Sequence, residues 1–165
     1  MHNYTPFKIT CIIYLLVSFV SISHAEILSG IVVGITDGDT ITVLDSSNQQ
    51  YKIRLSGIDA PEKKQAFGNV SKRYLSDLIY DKKVSVEYYK NDRYGRLVGK
   101  ILLNDLDVNL EQIKFGMAWH YVKYKKEQPF NDRLKYVQAQ QEAQNNKIGL
   151  WLDPNLTEAW QFRKD

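Results

Sequence analysis

From Ile35 to Glu62 the chain reads ITDGDTITVLDSSNQQYKIRLSGIDAPE, which sets Asp37, Asp39, Arg54, Asp59 and Glu62 at or near the ends of short alternating runs. Carboxylates crowded into a small volume repel one another and resist ionisation unless they share a cation. An all-oxygen set of Asp, Glu and backbone carbonyls suits a hard divalent ion, calcium first and magnesium second. Pro61 stiffens the loop behind Asp59 and holds Ala60 extended, which could aim the Ala60 carbonyl at a fixed point. The competing reading is that Asp37-Gly38-Asp39-Thr40 only makes a tight turn, with Gly38 supplying a positive φ. Arg54 on a strand, with Ile58-Asp59-Ala60-Pro61-Glu62 behind it, favours a site.

A second group of chemistry-bearing residues lies in Lys90-Asn91-Asp92-Arg93-Tyr94-Gly95-Arg96. Arginine grips phosphate through a planar fork of donors. Arg93 and Arg96 with Tyr94 between them offer charge for a nucleic-acid backbone and a ring for a base; the plainer alternative is ordinary solvation of a turn. Tyr121, Lys123, Tyr124, Lys125 and Lys126 interleave rings and charge in the same way, compatible with a nucleic-acid groove or an exposed loop. His120, beside Trp119 and Tyr121, reads as a packed or hydrogen-bonded residue rather than a general base.

The elements that must position these groups follow from periodicity. Alternation predicts strands over Ile31–Ile35, Thr40–Leu44, Tyr51–Leu55, Val84–Tyr89 and Arg96–Leu103. Steps of three and four residues predict a helix from Lys64 to about Tyr80, with Phe67, Val70, Tyr74, Leu75 and Leu78 on its buried face. A second helix spans Asp107–Phe115 and stops at Gly116. A third, capped by Asn131 or Asp132, runs to about Asn146 with a thin stripe of Tyr136, Ala139 and Ala143. Trp151, Trp160 and Phe162 should pack a tail back onto the body. Five short strands with interspersed helices read as a mainly β, α+β fold, a five-stranded Greek-key barrel of the oligonucleotide-binding (OB) type with about three helices.

Residues 1–25 read as an address. Lys8 precedes an apolar run from Ile9 to Ile22, and Ser23-His24-Ala25 has the small-x-small pattern of a cleavage site. The run is shorter than the ~20 residues that span a bilayer, so cleavage is expected over anchoring. The one cysteine, Cys11, lies inside it. Removal of this leader takes Lys8 with it, lowering the formal net charge from +3 to +2. The remaining 26–165 is long enough for one cored domain without disulfides. So small a charge says little about partners; its placement matters more.

The ordered set Asp37-Gly38-Asp39-Thr40, Arg54-Leu55, Asp59-Ala60-Pro61-Glu62, Asp92-Arg93-Tyr94-Gly95-Arg96, Gly116-Met117-Ala118-Trp119 and Gly149-Leu150-Trp151 resembles the thermonuclease (staphylococcal nuclease-like) family over nearly all of the chain after the leader. The resemblance implies an OB-fold enzyme that hydrolyses DNA and RNA phosphodiesters with calcium and leaves 3′-phosphate ends. By position it implies Asp39 and Asp59 as metal ligands by side chain and Ala60 by its carbonyl. Glu62 would lie near the attacking water, as its base or its orienting group, and Arg54 and Arg96 would hold the scissile phosphate. Arg93, Tyr94 and Tyr124 would contact substrate, single-stranded or frayed by preference. Val122 stands where the best-known member has a tyrosine. An exported protein, periplasmic or secreted, monomeric and free of the membrane after cleavage, is expected. Two other readings stay open: a non-catalytic OB module that binds single strands, and an envelope protein using the barrel as scaffold.

Overall fold

The computed structural model describes residues 26–164; the leader expected over 1–25, with Cys11, lies outside them. Three alternating segments, β1 (Glu26–Asp37), β2 (Thr40–Asp45) and β3 (Gln50–Leu55), form an antiparallel meander. Their inward residues Val32, Ile41, Val43, Ile53 and Leu55 are fully or almost fully buried. β1 is longer than its sequence pattern announces. Its first half, Glu26–Ile31, pairs with β5 (Lys83–Asn91), and its second half pairs with β2, so one strand serves two sides of a barrel. Register shifts near Val32/Gly34 and Ile35/Asp37 bend it, as bulges do.

β6 (Leu97–Leu103) pairs antiparallel with β5 and closes the barrel by pairing parallel with β3, Arg54 facing Val98. The order β3-β2-β1-β5-β6 is a closed five-stranded OB-type barrel, and the short β7 (Leu106–Asp107) adds to β6 outside it. The expected fold class therefore holds. A two-residue ribbon, β4 (Ile58–Asp59) with β8 (Trp119–His120), sets Asp59 opposite Trp119.

Helix α1 (Gly68–Ile79) buries only part of the face its larger residues suggest, with Leu75 in the core and Leu78 packed against it. Gly68, Ser71, Leu75 and Ile79 are buried, whereas Val70 is 49% exposed and Tyr74 stacks on Phe115 at 5.0 Å. Small residues win the inner face because the helix lies against the β1–β2 turn, where Ser71 would collide with any Cβ at Gly38. That contact, not a positive φ, is why glycine stands at position 38.

α2 (Val108–Lys114) begins as expected, with the Asp107 carboxylate accepting from Leu110 N, and ends at Gly116 with φ +61°. α3 (Phe130–Asn145) starts earlier than expected, directly after Pro129. Neither Asn131 nor Asp132 caps it; Asp132 instead pairs with Lys100 at 2.9 Å. Its thin stripe of Tyr136, Ala139 and Ala143 is buried as expected. The tail ends in an unexpected short helix, α4 (Ala159–Phe162). Trp151 and Trp160 pack edge-on against Trp119, but Phe162 stays 37% exposed at the surface. Among the described residues no helix is long and apolar enough to cross a membrane.

Candidate active site

Asp39 sits at the head of β2, held in a mesh of local bonds. Its N–H donates to Asp37 Oδ1 at 3.0 Å, its carbonyl accepts from Leu55 N at 2.8 Å, and its Oδ1 accepts from the Thr40 hydroxyl at 3.1 Å. From below, the Gln112 amide of α2 donates to the Gly38 carbonyl at 2.5 Å, tying the turn to the helix. Asp39 Oδ2 then accepts from Ala60 N at 2.7 Å, which joins the first acidic turn to the loop after β4. Burial, with the Asp39 charge beside it, pushes the Asp37 carboxyl up to about 6.

Arg54 reaches out of β3 to both acids. One nitrogen, Nη2, lies 2.9 Å from Asp59 Oδ1 and 3.2 Å from Asp39 Oδ2, while Nη1 donates to the Leu55 carbonyl. Asp59 is fully buried. Burial pushes its carboxyl above the ordinary range, and the guanidiniums of Arg163 and Arg54 oppose that push.

Arg163, just past α4, is the residue the sequence reading missed. Its Nη2 lies 2.7 Å from Asp59 Oδ2 and its Nη1 3.2 Å from Asp59 Oδ1, a two-pronged grip, and Nη1 also meets Glu62 Oε1 at 2.6 Å. Burial works against its charge, but the bonds to Asp59 and Glu62 outweigh that and reinforce it. A basic residue in a polar tail looks like any solvated charge, so no local signal announced it. Gln65 was missed likewise: its carbonyl oxygen accepts from Glu62 N, and its amide donates to the Thr157 carbonyl, lashing the tail to the Glu62 loop.

The structure thus brings Arg54, Asp39, Asp59 and Ala60 together, with Glu62 joined through Arg163. Arg96 is directed elsewhere: its Nε and Nη2 each lie 2.7 Å from Asp92 Oδ2, and its guanidinium is 5.5 Å from the Tyr94 ring. Those bonds, with the backbone N–H groups of Arg96 and Tyr94, overcome partial burial and lower the Asp92 carboxyl. Arg93 lies over the Tyr94 ring at 4.9 Å. Tyr94 and Tyr124 are both more than half exposed, and Lys90 and Lys123 approach the Tyr124 ring. Val122 is exposed as well. His120 is buried; its Nε2 donates to Gln128 Oε1 at 3.1 Å and its ring packs edge-on to Tyr136, so it is a structural residue.

Among the described residues no three His, Cys, Asp or Glu side chains cluster as a ready metal cage. The donors that do converge are two buried carboxylates with oxygen-only chemistry, and a guanidinium stands against them as a positive stand-in. A hard divalent ion accepts such a set when carbonyls and water complete it. The residues fit that kind of ion.

A family model described as "Staphylococcal nuclease homologue" matches residues 52–153. That stretch includes Arg54, Asp59, Glu62 and Arg96; Asp39 and Arg163 fall outside it. An "Uncharacterized endonuclease" of Haemophilus influenzae is 47% identical over 133 residues, covering 81% of this chain and 71% of the relative. An "Uncharacterized endonuclease" of Escherichia coli O157:H7 is 40% identical, covering 82% and 85%. A "Micrococcal nuclease" of Shigella flexneri is 38% identical, covering 82% and 80%.

Proposed function

Because the chain belongs to the staphylococcal nuclease homologue family and is on that ground a nuclease, a phosphodiester hydrolase, we propose that it is an exported, calcium-dependent enzyme acting on DNA and RNA. It breaks the bond from phosphorus to the 5′ oxygen and leaves 3′-phosphate ends. The observation that carries this reading is the single Arg54 nitrogen shared by Asp39 and Asp59, which joins an acid of the β1–β2 turn and an acid of β4 to a guanidinium at one point.

In this reading Asp39 and Asp59 hold the metal by side chain and Ala60 by its carbonyl. Calcium, when bound, supplies fixed positive charge against the phosphoryl oxygens. In-line attack by water raises negative charge on those oxygens, and donors already aimed there lower the barrier. Arg54 takes that role from the site itself. Arg96 takes it once it leaves Asp92 for the phosphate. Glu62 accepts or directs the proton of the attacking water. Arg93, Tyr94 and Tyr124 hold the strand by charge and stacking, which favours single-stranded or frayed substrate over paired bases. The chain acts as a monomer, periplasmic or secreted.

The test is incubation of the purified protein with single- and double-stranded DNA and with RNA, with calcium or with chelator. Cleavage with calcium, its loss with chelator, and products bearing 3′-phosphates are expected. Tight binding with no cleavage under any metal would turn the reading into that of a binding module. Cell fractionation tests export, and light scattering the monomer.

A further inference from the structure

Both oxygens of Asp59 are already engaged by positive charge: Oδ1 by Arg54 and Arg163, Oδ2 by Arg163. A metal ligated by Asp59 must sit about 2.3–2.6 Å from an oxygen. At that range it meets the Arg163 fork, and two cations do not share one carboxylate edge at close quarters.

Arg163 is also placed to give way. The segment before it is anchored, with Ala159 fully buried, Trp160 6.0 Å from Trp119 and 5.7 Å from Tyr121, and Thr157 bonded to Gln65. The Arg163 side chain is nonetheless 41% exposed. With Glu62, Lys63, Lys64 and Phe162 it lines an open surface depression of about 250 Å³. The guanidinium can therefore leave Asp59 for solvent while the tail stays docked. Its departure would leave Asp59 Oδ2 unpaired and the fully buried carboxylate with Arg54 alone, which is unfavourable unless another cation takes its place. A metal is such a replacement.

We propose that Arg163 is a resident counter-ion of the metal site, tethered by α4, which yields Asp59 to the metal and so sets how tightly the site takes calcium. The inference rests on the assignment of Asp39, Asp59 and Ala60 to the metal. Tethering keeps the competitor at an effective concentration of the order of millimolar. Linkage makes the competition reciprocal: whatever factor calcium takes from the Arg163 contact, Arg163 takes from calcium affinity.

The experiment titrates calcium alone into the wild-type protein, Arg163→Gln, Arg163→Lys and Asp59→Asn by calorimetry, and follows Tm with and without calcium. Arg163→Gln should bind calcium about tenfold more tightly, within the usual range of such couplings, with Arg163→Lys in between. Without calcium, Arg163→Gln should melt below wild type, and calcium should raise its Tm by more than it raises that of wild type. Asp59→Asn should lose binding. A purely structural Arg163 predicts the opposite: equal or weaker affinity in Arg163→Gln, and the same Tm deficit with and without calcium. That result overturns the proposal while leaving the metal site intact. If wild type, Arg163→Gln and Asp59→Asn all fail to bind calcium, the metal assignment itself falls, and this inference with it.

Discussion

Arg54 faces Val98 in the parallel β3–β6 pairing that closes the barrel. Arg54 lies within β3, whereas Arg96 stands one residue before β6, at the end of the turn that begins with Asp92. The strand pairing that closes the barrel thus joins the segments that carry the two arginines, one already bonded to the acids and the other parked on Asp92.

Arg54→Lys and Arg96→Lys should each lower the cleavage rate by roughly a hundredfold or more, the scale of losing one preorganised donor to a developing charge. Lysine keeps the charge but not the planar fork. Single-turnover cleavage checks this, and a near-wild-type rate in either variant removes that arginine from the site.

Gly68→Ala tests how Glu62 is held. A Cβ at position 68 would overlap the Glu62 carbonyl, so the loop must shift. We expect a stability loss of about 1–3 kcal/mol from overpacking. The turnover rate should fall more than tenfold, since small misplacements near reacting groups are costly. Calcium binding should persist. Urea unfolding beside steady-state kinetics decides it; unchanged turnover would mean that the position of Glu62 does not matter to the reaction.

Asn109 is fully buried, and its side chain joins three backbone groups: Oδ1 accepts from Ile101 N, and Nδ2 donates to the Ser56 and Gly99 carbonyls. Asn109→Ala should cost about 2–4 kcal/mol, because buried polar groups lose their partners. Asn109→Asp should cost as much or more, since it turns a carboxylate oxygen toward two carbonyls. Urea midpoints measure both.

His120 predicts a pH dependence of stability. Burial lowers its pKa from the ordinary 6.5, and among the described residues a protonated Nδ1 would find no acceptor for its N–H. The unfolded chain therefore binds this proton more readily than the folded one. The contribution is fully present above pH 6.5 and is lost as pH falls from there through the lowered folded value. His120→Gln should flatten the curve of unfolding free energy between pH 7.5 and pH 5; an unaltered slope would assign that dependence to other groups.

The alternation of β-branched and aromatic residues, the Gly116 stop and the ordered set of acids and arginines are signals written along the chain. They lie in residue type and spacing, so the barrel class and the grouping of Asp39, Arg54, Asp59 and Ala60 were legible in the chain alone. Three matters were not, because each depends on which surfaces meet. The inner face of α1 went to Gly68 and Ser71 rather than Phe67 and Val70, since close approach to Gly38 outranks hydrophobicity there. Arg96 settled on Asp92, its near neighbour in the turn. Arg163 reached Asp59 only because Trp119 and Tyr121 gave Trp160 a place to dock. Sequence determined which groups are available; tertiary packing decided which cations serve the buried Asp59, because that choice is made by distance and burial across elements that share no local pattern.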